Sequence, residues 1–261
     1  MEIFAQYGFY TIAFLAVFAF VAGFLDAIVG GGGLIQLPSL LIQFPKTGLP
    51  TLLGTNKIAA LSGTSIAAIQ YAKRISYNWK VLLAIIIGSA LFSFLGAKTV
   101  SYLHSDDLKP LILAILIVIA IYTFLKKDLG NNPTKNLTTS QQMIYGAFIG
   151  SVVGFYDGFF GPGTGSFFVL GFVVILGFDF LHASAYAKVV NCVTNISALF
   201  VFLKDGNYLL EIAILMAIFN IIGNFIGTKM AFKKGNGFIR IIFLVIVVLM
   251  IIRYSKEVFF S

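Results

Sequence analysis

The chain is poor in charged residues, and this scarcity excludes most classes of soluble protein. Only 11% of its 261 residues are Asp, Glu, Lys or Arg, against roughly 25% in an average soluble domain. Hydrophobic residues make up 59% of the chain, and its mean hydropathy is +0.97. Several apolar stretches approach the roughly 20 residues that a helix needs to cross a bilayer. The clearest are 81–100, 111–125, 209–226 and 238–252. The composition therefore predicts an all-α polytopic membrane protein.

Residues that could bind metals or perform catalysis are also scarce. The single Cys192 excludes an internal disulfide and a cysteine-based metal cluster. His104 and His182 stand alone, without partner ligands at metal-binding spacing. The sequence contains no nucleotide-binding glycine motif, zinc-protease motif or nucleophile elbow. We therefore expect no metal, no cofactor and no enzymatic activity.

The net charge of +8 would indicate a nucleic-acid partner in a soluble protein. Here the basic residues concentrate in short loops between apolar stretches, where they set the orientation of a membrane protein. Those in 73–80, 126–135 and 229–240 would share the cytoplasmic side, so that both termini lie outside the cytoplasm. The first stretch lacks a basic leader region and a cleavage site, and we expect it to be retained as a membrane helix. No nucleic-acid partner is expected.

The two halves of the chain repeat each other across a polar break at 126–142. A shift of 131 residues aligns Asp26 with Asp157 and Lys57 with Lys188. It also aligns Gly23 with Gly154, Gly30 with Gly161, Gly32 with Gly163, Lys73 with Lys204, and Lys98 with Lys229. Agreement among rare residues at one offset indicates an internal repeat. The predicted organisation is a first membrane repeat at 1–127, a polar loop at 128–140 and a second repeat at 141–261.

Each half has the same predicted order of segments. A long helix (5–29, 141–160) meets a glycine-rich break (30–33, 161–165), then a short apolar segment (34–44, 166–177) and a longer one (51–72, 182–203). Two further spanning helices close each half. A half crosses three times if the short and longer segments form a re-entrant pair, and five times if both cross. Because either number is odd, we predict inverted repeats, each with three long spanning helices plus a broken or re-entrant pair, and roughly eight to ten membrane segments in total.

The two glycine-rich breaks are candidate anion sites, and each follows an acid by four residues. Irregular backbone at membrane depth needs protein or a water-filled cavity around it. A helix that begins after each break would direct N–H groups and its positive dipole end toward an anion. Tight packing or a sharp turn is the alternative explanation. The candidate residues are Gly30, Gly31, Gly32 and Gly33 in the first break, and Gly161, Gly163, Thr164 and Gly165 in the second.

Four charged residues lie inside apolar segments. Asp26 and Asp157 have three open roles: they brace the breaks, form ion pairs with the lysines, or carry protons during transport. Lys57 and Lys188 are candidate anion contacts, and snorkelling to the membrane interface is the alternative. Polar residues accompany both lysines along their segments. We include as candidate anion ligands Asn56, Thr64, Asn191, Thr194 and Asn195.

Three stretches resemble the TauE/SafE sulfite exporter family, also called the TSUP permeases. They are "AGFLDAIVGGGGLIQLPSLL" (22–41), "GTNK" (54–57) and "GFYDGFFGPGTGSFF" (154–168). The resemblance covers about 14–254 and implies a bacterial inner-membrane carrier for sulfite, organosulfonates or related anions, with export a common direction. It carries over the glycine-rich signatures with their aspartates, but no list of binding residues.

These observations predict a secondary transporter that exports a small sulfur-containing anion by alternating access, with proton coupling as an option. A passive small-anion channel is the alternative, because it would need the same polar lining. The expected partners are the anion and the lipid bilayer, and a homo-oligomer stays open.

Overall fold

The computed structural model describes residues 7–100 and 135–259. Within these ranges the chain is helical and contains no strand. The predicted spanning helix at 108–126, His104 and most of the polar loop lie outside the described residues. The division into repeats at 127 and 141 therefore stays a prediction.

The described part of the first half contains four helices, and a glycine break separates the first two. The long first helix ends where Gly30 adopts a left-handed conformation (φ 78°) and donates its N–H to the Asp26 carbonyl at 2.8 Å. The second helix is only 11 residues long, or about 17 Å, which is too short for an upright crossing. The helices are α1 (Phe9–Val29), α2 (Gly33–Gln43), α3 (Leu49–Ala72) and α4 (Trp79–Thr99).

The second half follows the same order. Its helices are α5 (Thr139–Phe159), α6 (Thr164–Val174), α7 (Phe180–Lys204) and α8 (Leu210–Phe259). The last one bends at Gly235, whose backbone is not helical (φ 70°, ψ −165°), between the two spanning helices that the sequence predicts. Both predicted glycine breaks and both short segments are confirmed, with ends that differ by a few residues.

The outer faces of the helices are suited to lipid. In the part of the chain that the structure describes, four helices can cross a membrane by length and composition: Phe9–Val29, Trp79–Thr99, Phe180–Lys204 and Leu210–Val245. Large apolar side chains on these and neighbouring helices point outward, and Ile87, Phe148 and Phe200 are each about two-thirds exposed. Apolar surface of this extent on a folded protein marks contact with a membrane or a partner. The chain is an all-α polytopic membrane protein.

Helices of one half pack against helices of the other, and the repeat shift relates the packed pairs. The closing helix of the described first half, α4, lies along α5, the opening helix of the second half. In return α8 lies along α1, and α3 packs against its own equivalent, α7. The contacts repeat in detail: a methyl group on Gly96 would lie 3.1 Å from the Phe155 carbonyl carbon, and one on Gly227 would lie 3.1 Å from that of Phe24. The shift of 131 residues relates these two contacts, while the inverted orientation of the halves stays a prediction.

Candidate anion site at the crossing of two helix breaks

The two glycine breaks cross each other inside the molecule. A methyl group on Gly165 would lie 2.6 Å from the Gly30 carbonyl oxygen and 2.9 Å from its carbonyl carbon. No side-chain carbon approaches a backbone so closely, and glycine is therefore required at the crossing. The breaks also turn through left-handed conformations at Gly30 (φ 78°), Gly161 (φ 92°) and Gly163 (φ 84°), which glycine adopts at little cost.

Residues at the start of each short helix donate hydrogen bonds to carbonyls of the glycine break that precedes it. In the first break, Leu34 donates its N–H to the Gly31 carbonyl at 3.2 Å, and Ile35 donates to Gly32 at 3.0 Å. In the second, the hydroxyl of Thr164 donates to the Gly161 carbonyl at 2.6 Å. Gly33, the first residue of α2, lies against Pro162 of the second break. These bonds use part of the donor capacity near the breaks, and anion binding there stays a prediction.

The four buried charged residues form two ion pairs, and each pair joins the halves. Lys57 Nζ lies 3.1 Å from Asp157 Oδ1, and Lys188 Nζ lies 3.2 Å from Asp26 Oδ2. The lysines are 2% and 0% exposed, and the aspartates 2% and 7%. The repeat shift maps one pair onto the other. Burial of each ion costs several kcal/mol unless it is paired, so of the three roles open to the aspartates the structure shows ion pairing.

A third polar residue forms a hydrogen bond with each pair. The two residues, Thr64 and Asn195, are equivalent under the repeat shift. The Thr64 hydroxyl donates to Asp26 Oδ2 at 2.9 Å, and Lys57 donates to Asn195 Oδ1 at 3.1 Å. We call the two groups the first triad (Asp26, Thr64 and Lys188) and the second triad (Asp157, Asn195 and Lys57). The second triad lies at the second break, because a methyl group on Gly161 would lie 3.5 Å from both Lys57 Nζ and Asp157 Oδ1.

Three further predicted ligands are buried outside the two triads. Thr194 donates its hydroxyl to the Asn191 carbonyl at 3.1 Å, and its own carbonyl accepts from Ser93 of α4 at 2.8 Å. Asn56 precedes Lys57 on α3, and its buried side-chain oxygen has no hydrogen-bond partner within 7–100 and 135–259. The role of Asn56, Asn191 and Thr194 in anion binding stays a prediction.

The end of α1 is held by side chains that the sequence analysis missed. Because the last four carbonyls of a helix lack partners within it, they need donors from elsewhere. The Asp26 carbonyl accepts from Lys188, Ala27 from the Tyr71 hydroxyl at 3.2 Å, Ile28 from Ser184 at 3.2 Å, and Val29 from Ser166 at 2.9 Å. The three hydroxyl residues come from α3, α6 and α7, and no local motif connects them.

A family model described as "Sulfite exporter TauE/SafE" matches residues 15–254. This chain belongs to the TauE/SafE family. Curated relatives agree with the assignment and share nearly the whole length. A protein of Sinorhizobium sp. named "Probable membrane transporter protein ORF9" is 39% identical over 251 residues, which cover 95% of this chain and 94% of the relative.

Two further relatives of this TauE/SafE protein are also named probable membrane transporters. One, from Haemophilus influenzae, is 35% identical over 235 residues, covering 88% of each chain. The other, YfcA of Escherichia coli K12, is 33% identical over 226 residues, covering 85% of this chain and 81% of the relative. The chain is therefore a multi-pass membrane transporter of the TauE/SafE family and not an enzyme.

The TauE/SafE chain also buries a cluster of amides beside the first triad. Asn220 donates to Gln36 Oε1 at 2.7 Å, and Asn224 donates to Asn220 Oδ1 at 2.8 Å. Both asparagines lie against Gly63, the neighbour of Thr64 on α3. The sequence carried a signal for this cluster, because two asparagines four residues apart occupy one face of an apolar helix.

Proposed function

We propose that the protein is a secondary transporter that exports a small sulfur-containing anion, such as sulfite or an organosulfonate, by alternating access. The observation that carries the proposal is the pair of equivalent Lys–Asp bridges, which join the two halves where the helix breaks cross. The family description and the names of the relatives support transport of this kind.

The position of the bridges favours a moving site over a fixed scaffold. Apolar residues of similar volume often replace a buried ion pair without loss of stability. Ionisable residues inside a membrane therefore suggest function, and in transporters with repeated halves the substrate lies between the halves. Motion of one half against the other would open and close a Lys–Asp bridge between them. A lysine freed from its aspartate would then bind the anion.

The proposed location is the bacterial inner membrane, with both termini outside the cytoplasm and the bilayer and the anion as partners. The concentration of basic residues in 73–80 and 229–240 supports this orientation. A reporter enzyme that works only outside the cytoplasm should be active when fused after Ser261. A silent reporter in a well-expressed fusion would contradict the orientation.

The test of transport uses purified protein in liposomes. We expect saturable exchange of labelled sulfite or sulfonate, and weaker anion binding in Lys57→Ala and Lys188→Ala. The matched control is Lys229→Ala, because Lys229 is an exposed lysine that lies over the Phe225 ring, 4.0 Å from its centroid. Normal anion flux in both Lys57→Ala and Lys188→Ala would show that neither lysine belongs to the anion site. Large single-channel currents would favour a passive channel.

A thermal-shift screen identifies the anion class. The purified protein is heated with sulfite, thiosulfate, taurine or sulfoacetate, and with carboxylates as controls. A ligand that binds the folded state raises the melting temperature with its concentration. We expect stabilisation by the sulfur-containing anions, and stabilisation by carboxylates alone would contradict the proposed substrate class.

A further inference from the structure

The two triads occupy equivalent positions but differ in hydrogen bonding. In the first triad, Asp26 Oδ2 accepts from both Thr64 and Lys188. In the second, Asp157 Oδ1 lies 3.1 Å from Lys57 Nζ as an ion pair, while the buried Oδ2 atom of Asp157 has no hydrogen-bond partner among the described residues. Asn195 occupies the position equivalent to Thr64, and its amide oxygen accepts a hydrogen bond from Lys57.

The end of α1, beside the first triad, also receives hydrogen bonds that the equivalent positions around α5 do not supply. Three hydroxyls hold the end of α1, namely Tyr71, Ser184 and Ser166. The repeat shift places Phe202, Leu53 and Ile35 at the equivalent positions around the end of α5. None of these three side chains can donate a hydrogen bond. At these three positions the second break therefore lacks the hydroxyl donors of the first, although Tyr156 and Thr164 donate to its own Pro162 and Gly161 carbonyls.

Charge balance decides what an anion needs at this place. With both aspartates ionised, each Lys–Asp pair is neutral, and the two triads together offer no net positive charge. An anion that enters a buried, low-dielectric site requires a compensating charge. Protonation of one aspartate supplies it, because the partner lysine then keeps its charge without an acid beside it.

We propose that Asp157 binds the coupled proton and Lys57 binds the anion, while the first triad is a fixed brace. The proton adds to Oδ2 of Asp157, and the carboxyl group becomes neutral. Lys57, still held by Asn195, exchanges its bond to Asp157 for an oxygen of the anion. One proton therefore enters with each negative charge, and the site stays neutral. This inference rests on the proposed function, because it names the coupling ion and the stoichiometry of the same site.

The other ionisable groups near α5 do not compete with Lys57 as the ion-pair partner of Asp157. The helices that pack against α5, together with α3, bring Lys57 and Tyr71 from α3, Lys80 and Lys98 from α4, and His182, Tyr186, Lys188, Cys192 and Lys204 from α7. The short helix α6 has no ionisable side chain. Among the described residues, Lys57 is the group within ion-pair distance of Asp157. Lys188 is bound to Asp26, and Lys98 lies over the Phe94 ring, 4.5 Å from its centroid.

The experiment separates anion exchange from proton-driven accumulation. Full-length protein in liposomes is supplied with labelled isethionate, a sulfonate that stays ionised and carries no proton of its own. Exchange is measured without a pH gradient, and accumulation with one. We expect the wild-type protein to do both, and its affinity to weaken about tenfold for each pH unit on the alkaline side of its transition, as for one linked proton.

Asp157→Asn imitates the protonated residue. We expect this variant to keep exchange, to lose the pH dependence of affinity, and to accumulate no more isethionate with a pH gradient than without one. The matched control is Asp26→Glu, which keeps the negative charge of the first triad and should keep the wild-type ratio of accumulation to exchange at whatever rate it retains. If Asp157→Asn does not fold, Asp157→Glu should transport with a shifted pH dependence.

Three results would overturn the assignment. They are gradient-driven accumulation by Asp157→Asn, loss of the gradient response in an Asp26→Glu protein that still exchanges, and an unshifted pH dependence in Asp157→Glu. Wild-type protein that exchanges isethionate but ignores the gradient would also overturn it and would leave the proposed function intact. Wild-type protein that exchanges no sulfur-containing anion would instead refute the proposed function.

Discussion

A single methyl group at the crossing of the two breaks should destabilise the protein measurably. In Gly165→Ala the new carbon would lie 2.9 Å from the Gly30 carbonyl carbon, whereas carbon atoms pack at roughly 3.5–4.0 Å. The two backbones must then separate by at least about 0.6–1.1 Å, because the Gly30 Cα lies closer still to the new carbon, and overpacking of this kind costs about 1–3 kcal/mol. The bond from Ser166 to the Val29 carbonyl, 2.9 Å long beside the crossing, adds about 1 kcal/mol when it breaks.

A gain in helix propensity of about 1 kcal/mol opposes these costs, because Gly165 lies in α6. The net loss is about 1–3 kcal/mol, which lowers the melting temperature by roughly 2–12 °C at 2–4 °C per kcal/mol. The matched control is Gly237→Ala, since Gly237 is helical and has no atom within 4 Å of the new methyl group. Thermal unfolding in one detergent compares the two variants. If the melting temperature of Gly165→Ala equals that of Gly237→Ala, the close approach of the two breaks at Gly30 and Gly165 is refuted.

Three further changes test the contacts around the first triad by the same thermal unfolding. Lys188→Met should cost about 3–5 kcal/mol because it leaves Asp26 buried without its counter-ion, and Asp26→Leu in the same chain should restore most of the loss; equal stability of the single and double variants would refute the pairing. Tyr71→Phe should cost about 1 kcal/mol by removing the donor to Ala27, and an unchanged midpoint would exclude this cap. Asn220→Ala should cost about 1–3 kcal/mol for each neighbouring amide left without its partner, and an unchanged midpoint would refute the amide cluster.

The internal repeat carried most of what could be predicted from the sequence. Glycine breaks and lone charges that recur at one offset predict equivalent structures, and the confirmed breaks follow from this. The repeat did not predict which aspartate forms an ion pair with which lysine. A shift aligns Lys57 with Lys188, but it does not say whether a lysine reaches the aspartate of its own half or of the other. Only the crossing of the breaks brings Lys57 to Asp157 and Lys188 to Asp26.

The donors at the end of α1 were beyond prediction for a different reason. Tyr71, Ser166 and Ser184 are common residue types in membrane helices, and they lie far apart in the sequence. None of them has a polar counterpart under the repeat shift, so the comparison that identified the charged residues could not select them. Their role follows from three-dimensional contact with carbonyls that α1 cannot satisfy by itself.

The differences between the repeats carry as much information as their agreement. If both triads bonded alike, either aspartate could take up a proton, and the number of protons moved per anion would be ambiguous. Thr64 gives Asp26 a second donor, and the hydroxyls around α1 fasten the backbone beside it. Both features hold the Asp26 carboxylate and the backbone beside it in place. Among the described residues, Asp157 has no equivalent of these contacts, and the difference supports a brace at Asp26 and the proposed proton site at Asp157.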